Sequence, residues 1–102
     1  MNRTNKYNYY STITTNLYNL IGCNDESFYD EVELNLCNRF KLERNLEGLH
    51  DVFSGKFGLL KFASENNIFH IHIMNSKFLS EHVKQVIQEC NNENKYIKIF
   101  FY

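Results

Sequence analysis

Residues 42–55 read LERNLEGLHDVFSG, and the spacing within this stretch decides how the rest of the chain is read. Leu42, Leu46, Leu49 and Phe53 recur at i, i+4, i+7 and i+11. At about 100° per residue they stay within one narrow stripe of a helix. Glu43, Glu47 and Asp51 recur at i, i+4 and i+8 and make a second stripe, centred more than a right angle from the first. His50 lies angularly between the two, and Gly55 is placed to end the helix as a C-cap. The spacing therefore predicts a helix over residues 42–54 with one apolar edge and one acidic edge.

Working back from it, residues 15–21 (TNLYNLI) alternate in the manner of a short strand closed by Gly22. Asn24, Asp25 and Ser27 are N-cap candidates for a helix running to about Phe40, with Phe28, Val32 and Leu36 as its apolar stripe. Asp25, Glu26, Asp30 and Glu31 favour the positive end of that helix. Residues 1–12 offer little to bury and read as a loose polar arm before a single domain over 13–102.

Working forward, residues 58–62 (GLLKF) and 68–74 (IFHIHIM) read as two strands joined by the turn composition SENN, most simply a hairpin. Asn75 or Ser76 then caps a helix running to about Asn91, with Leu79, Val83, Val86, Ile87 and Cys90 as its stripe. The last strand, residues 96–102 (YIKIFFY), is nearly apolar on both faces, the pattern of a central strand in a helix-covered sheet. The order β α α β β α β predicts a small α/β layer fold.

With 102 residues, 43% of them hydrophobic and 23% charged, the chain has the balance of one globular domain rather than of a disordered or fibrous segment. A net charge of -1 excludes a nucleic-acid or membrane binder that relies on bulk charge. That average conceals a gradient. Residues 23–51 hold eight acids against Arg39, Lys41 and Arg44, which sums to -5. No apolar run has the length of a signal peptide or a membrane span, so the chain is expected in the cytosol. Cys23, Cys37 and Cys90 are odd in number and form no CxxC pair, which suits reduced structural thiols.

The stretch NLEGLHDV, the family-like start SFYDEV of the preceding helix, and the order and end point of the elements resemble the barstar family of small intracellular ribonuclease inhibitors. The resemblance covers roughly residues 16–102. It implies a small barstar-like layer fold, a mainly parallel three-stranded sheet with the hairpin strand added, packed with about three helices. It also implies a non-catalytic inhibitor, an immunity or antitoxin protein whose acidic helix enters the active site of a ribonuclease or nuclease toxin. Asp51 falls on the family's principal acid, Glu47 on its second acid, and Asn45 on the helix-start Asn. Glu89 falls where some members carry a further interfacial acid, His50 where Trp is usual, and Lys41 where an aromatic often stands. Leu46 and Leu49 match core positions. A monomer that binds no cofactor, no metal, no membrane and no nucleic acid directly is the accompanying expectation.

The physical logic also stands on its own terms. A nuclease cleft is built to hold phosphates, and a rigid helix with carboxylates along one edge matches it charge for charge. Two other readings of the residues remain open. One is an interaction or regulatory domain with a non-nuclease partner. The other is a small hydrolase or nuclease using His50 with Glu47 or Asp51, or the pair His70 and His72, which point to one strand face. That pair could hold a metal with His50 or His82, but no Cys or acid lies at ligand spacing near it.

Overall fold

The computed structural model describes residues 13–102, so the expected arm at 1–12 lies outside the described residues. Strand β1 (Thr14–Ile21) is followed by helices α1 (Asp25–Leu36) and α2 (Leu46–Phe53), strand β2 (Asn67–Met74), helix α3 (Glu81–Asn91) and strand β3 (Ile97–Phe101). Two 3-10 turns, Leu59–Phe62 and Ser76–Phe78, flank β2. The three strands form one parallel sheet in the order β1-β2-β3, with Leu17 opposite His70 and His72 opposite Phe100.

Period-two alternation sorts each strand between two faces. Leu20 from β1, Phe69, Ile71 and Ile73 from β2, and Ile97 and Ile99 from β3 are buried. They pack with Phe28, Val32 and Leu36 of α1, Leu49, Val52 and Phe53 of α2, and Val83, Ile87 and Cys90 of α3. Each such apolar side chain contributes about 1.5–3 kcal/mol by leaving water. All three helices therefore join one core on one side of the sheet. The opposite faces of the strands carry Leu17, Ile21, Met74, Phe100 and Tyr102, all exposed.

That arrangement corrects the reading of the last strand. β3 lies at the sheet edge and β2 at its centre. The outward aromatics of β3 pack on one another's neighbours instead of on a helix: His72 stacks between Phe100 and Tyr102, with ring centroids 4.8 and 5.4 Å away.

The expected hairpin is also absent. GLLKF forms the 3-10 turn Leu59–Phe62, and antiparallel pairing there is reduced to one bridge, Ser64 with Asn67. Gly58 explains the departure: it sits at φ +82 against the end of α1, where an added Cβ would lie 2.3 Å from the Leu36 carbonyl oxygen. The chain passes the end of α1 at this glycine and enters the 3-10 turn directly after it.

Three helix boundaries move for similar local reasons. α1 stops at Leu36 rather than near Phe40, because Asn38 and Arg39 take positive φ values of 52° and 75°. α3 begins at Glu81 rather than after Asn75 or Ser76. Asn75 is left-handed, Ser76 is tied through N–H and Oγ to the Tyr102 carbonyl, and Ser80 is the true N-cap, accepting the Val83 N–H. A short extra turn thus fits between β2 and α3. α2 begins at Leu46 rather than Leu42, for a reason that belongs to the site.

Candidate functional site

Asn45 starts α2 because its Oδ1 accepts the Gly48 N–H at 2.7 Å. Its Nδ2 donates to Glu43 Oε1 at 2.9 Å, so both polar atoms of this side chain are engaged within the chain. The residues just before the cap are held out of the helix by α1. Glu33 accepts the Leu42 N–H at 2.7 Å through one oxygen and the Arg44 guanidinium at 2.7 Å through the other, while Arg44 also pairs with Asp30 at 2.7 Å. The Leu42 N–H, and then Arg44, hold the Glu33 carboxyl below its ordinary range.

The acidic stripe is shortened as a result. Glu43 precedes the helix, and its carbonyl oxygen would lie 1.9 Å from a Cβ on Gly48, so only glycine permits this approach of segment to helix. The buried stripe of α2 is Gly48, Leu49, Val52 and Phe53. Leu42 is buried from the loop, whereas Leu46 is 38% exposed and is not a core residue.

Glu47 and Asp51 remain, one helical turn apart on α2. Glu47 is exposed and Asp51 half-buried, and among the described residues neither carboxylate has a hydrogen bond or an ion pair. The rest of the acidic segment is occupied differently. Asp25 accepts the Ser80 N–H, Glu31 the Ile21 N–H, and Asp30, Glu33 and Glu43 the groups already named. Glu26, in the first turn of α1, is the one other acid of that segment without a partner among the described residues.

Asp51 has Lys41 for company. Lys41, Leu42, Glu43, Gly48, Asp51 and Phe57 line a shallow groove of about 140 Å³ between the loop and the helix. On the other side, Asp51 and Glu89 both lie near enough to Cys90 to act on its thiol. Burial pushes that thiol up to about 12, and the carboxylates of Glu93, Glu89 and Asp51 add to the shift against the opposing charge of Lys56.

His50 is half-buried, with Nε2 3.1 Å from Glu93 Oε1. Its carbonyl accepts the Cys90 thiol at 3.6 Å. Glu93 is the participant that the spacing reading passed over. Its signal in the sequence is the i, i+3 spacing of Cys90 and Glu93. Those two histidines sit on the open sheet face, where His72 Nδ1 is 2.8 Å from the Tyr102 hydroxyl and His70 meets Phe100 edge-on.

Chemically, this region can present negative charge. Its buried thiol is protonated at neutral pH, and so is that of Cys37, which burial, helped by Glu33, pushes up to about 11. No helix among the described residues is long and apolar enough to cross a membrane. Comparison with known proteins finds no family model that matches the chain and no matching curated protein.

Proposed function

We propose that this protein is a barstar-like inhibitor of a ribonuclease, an immunity or antitoxin partner that blocks the enzyme's active site with the acidic edge of α2 and performs no catalysis itself. Asp51 is the central anion of the reading, with Glu47 and Glu89 flanking it, Asn45 holding the helix start, and His50 and Lys41 at the margins. One observation carries it: Glu47 and Asp51 share a helix and have no partner among the described residues, although five acids of the same segment are engaged inside the chain. Carboxylates fixed on a rigid helix need little ordering to meet the cations of a phosphate-binding cleft, which favours fast, steered association. The small parallel α/β layer fold is compatible with the resemblance of the NLEGLHDV helix to that family.

The test is protection of cells, or of RNA in solution, against the nuclease encoded beside or recovered with this protein. Asp51→Ala is expected to abolish protection while the circular dichroism spectrum is unchanged. Full protection by that variant would remove Asp51 from the site.

A second reading, an interaction domain with a non-nuclease partner, draws on the exposed Phe100 and Tyr102 of the open sheet face. Co-purification distinguishes the two, since a nuclease recovered with the tagged protein supports the first and any other stable partner supports the second.

A further inference from the structure

Outside the unpartnered acids, one cluster joins three different metal-ligating side chains. His50, Cys90 and Glu93 each offer one donor atom, and these atoms all lie within 4.8 Å of one another. They come from two elements that pack together: His50 from the last turn of α2, and Cys90 and Glu93 from the end of α3 and the turn beyond it. The Glu93 N–H donates to the Cys90 carbonyl at 3.0 Å, which closes that turn and sets the two side chains at i, i+3.

The geometry points to a zinc site formed by His50 Nε2, Cys90 Sγ and one carboxylate oxygen of Glu93. Zinc bonds of about 2.3 Å to sulfur and about 2.0–2.2 Å to nitrogen and oxygen put tetrahedral ligand atoms roughly 3.3–3.6 Å apart. His50 Nε2 and Glu93 Oε1 already stand 3.1 Å apart, so the sphere closes with movements of about 1 Å in side chains. Cys90 is fully buried and serves as the fixed anchor, whereas Glu93 is half-exposed and free to adjust. A mixed sulfur, nitrogen and oxygen donor set selects zinc over calcium or magnesium, which require oxygen alone.

On binding, the Cys90 S–H bond and the His50 Nε2–H bond that faces Glu93 are replaced by sulfur–zinc and nitrogen–zinc bonds, the imidazole keeps its remaining proton on Nδ1, and the displaced protons leave to solvent. Water takes the fourth position. The metal ties the end of α2 to the end of α3 next to Asp51, and this site stands whether or not the partner is a nuclease.

The test is a titration of the reduced full chain with Co²⁺ followed by Zn²⁺. The expected result is one Co²⁺ per chain with a thiolate-to-cobalt absorption band in the near ultraviolet, lost on adding one equivalent of Zn²⁺, and a Tm that rises with Zn²⁺. Glu93→Gln changes a surface side chain, should keep the native circular dichroism spectrum, and should weaken binding by at least about tenfold. Cys90→Ser should abolish the band, and Cys23→Ser should leave it intact, because Cys23 is an exposed thiol elsewhere. The proposal is overturned by absence of the band, by its survival in Cys90→Ser, by its loss in Cys23→Ser, or by unchanged affinity in a folded Glu93→Gln variant.

Discussion

The acids of α1 and those of α2 belong to one negative segment of the sequence, yet they do opposite work. Asp30 and Glu33 on α1 are paired with Arg44, and Glu33 also accepts the Leu42 N–H, so these acids are spent within the chain on fixing the path of residues 42–45. Glu47 and Asp51 on α2 have no partner among the described residues, so their charge is not spent on an internal contact. The first pair builds the platform on which the second is displayed. Counting charge along a chain cannot separate these roles, because both pairs add the same amount to the sum.

The largest effect expected from this contrast is on binding. Asp51→Ala should weaken association with a nuclease partner by about 2 kcal/mol or more, roughly thirtyfold, as measured by surface plasmon resonance or by RNA protection. Its Tm should stay close to that of the unaltered protein, because the carboxylate supports no internal contact. A large fall in Tm would place Asp51 with the structural acids and erase the distinction. A smaller effect, confined to stability, is expected where the two regions touch. Gly48→Ala introduces a Cβ 1.9 Å from the Glu43 carbonyl oxygen, and backbone, not a flexible side chain, must move. Denaturant unfolding should report a loss of about 1–3 kcal/mol. An unaltered unfolding midpoint would mean that residues 43 and 44 are not clamped against α2.

How much of this was legible in the sequence depends on the range of the interaction concerned. The apolar spacing of Phe28, Val32 and Leu36, and that of Leu49 and Phe53, was local and carried straight into the core. So did the alternation in β2, where every second residue from Phe69 to Ile73 is buried. The start of α2 was not legible in the same way. Leu42 through Arg44 have helical spacing, but a carboxylate on α1 takes their polar groups, and nothing in the periodicity of one segment reveals a partner on another. GLLKF was misread because five residues are too few to distinguish a strand from a helical turn without knowing that Gly58 must pass the Leu36 carbonyl. In YIKIFFY the apolar residues on both faces suggested helices on both sides, whereas Phe100 and Tyr102 face outward over His72. Spacing marked Glu43, Glu47 and Asp51 as one acidic stripe, and the resemblance alone singled out Asp51 and Glu47 within it. Neither marked Glu93, since its significance lies in its approach to His50 from a different helix.

The smallest of these effects, and the one that isolates the structural acids, is a dependence of stability on pH. The Leu42 N–H and, after it, Arg44 lower the Glu33 carboxyl in the folded chain relative to its ordinary value of 4.5. A lowered carboxyl binds its proton more weakly when folded than when unfolded, so its contribution to stability is fully present above 4.5 and is lost as the pH falls through the lowered folded value. Glu33→Gln removes the charge while leaving an oxygen able to accept from Leu42. Its Tm should therefore fall below that of the unaltered protein by a few degrees at neutral pH, and the two curves should converge in acid. Added salt should narrow the gap at neutral pH, because the pair with Arg44 is partly open to solvent. A parallel series on Glu47→Gln should show no such convergence, since no internal partner was lost. If Glu47→Gln instead reproduced the behaviour of Glu33→Gln, the acids of α2 would be structural, and the division between a platform and a displayed edge would fail.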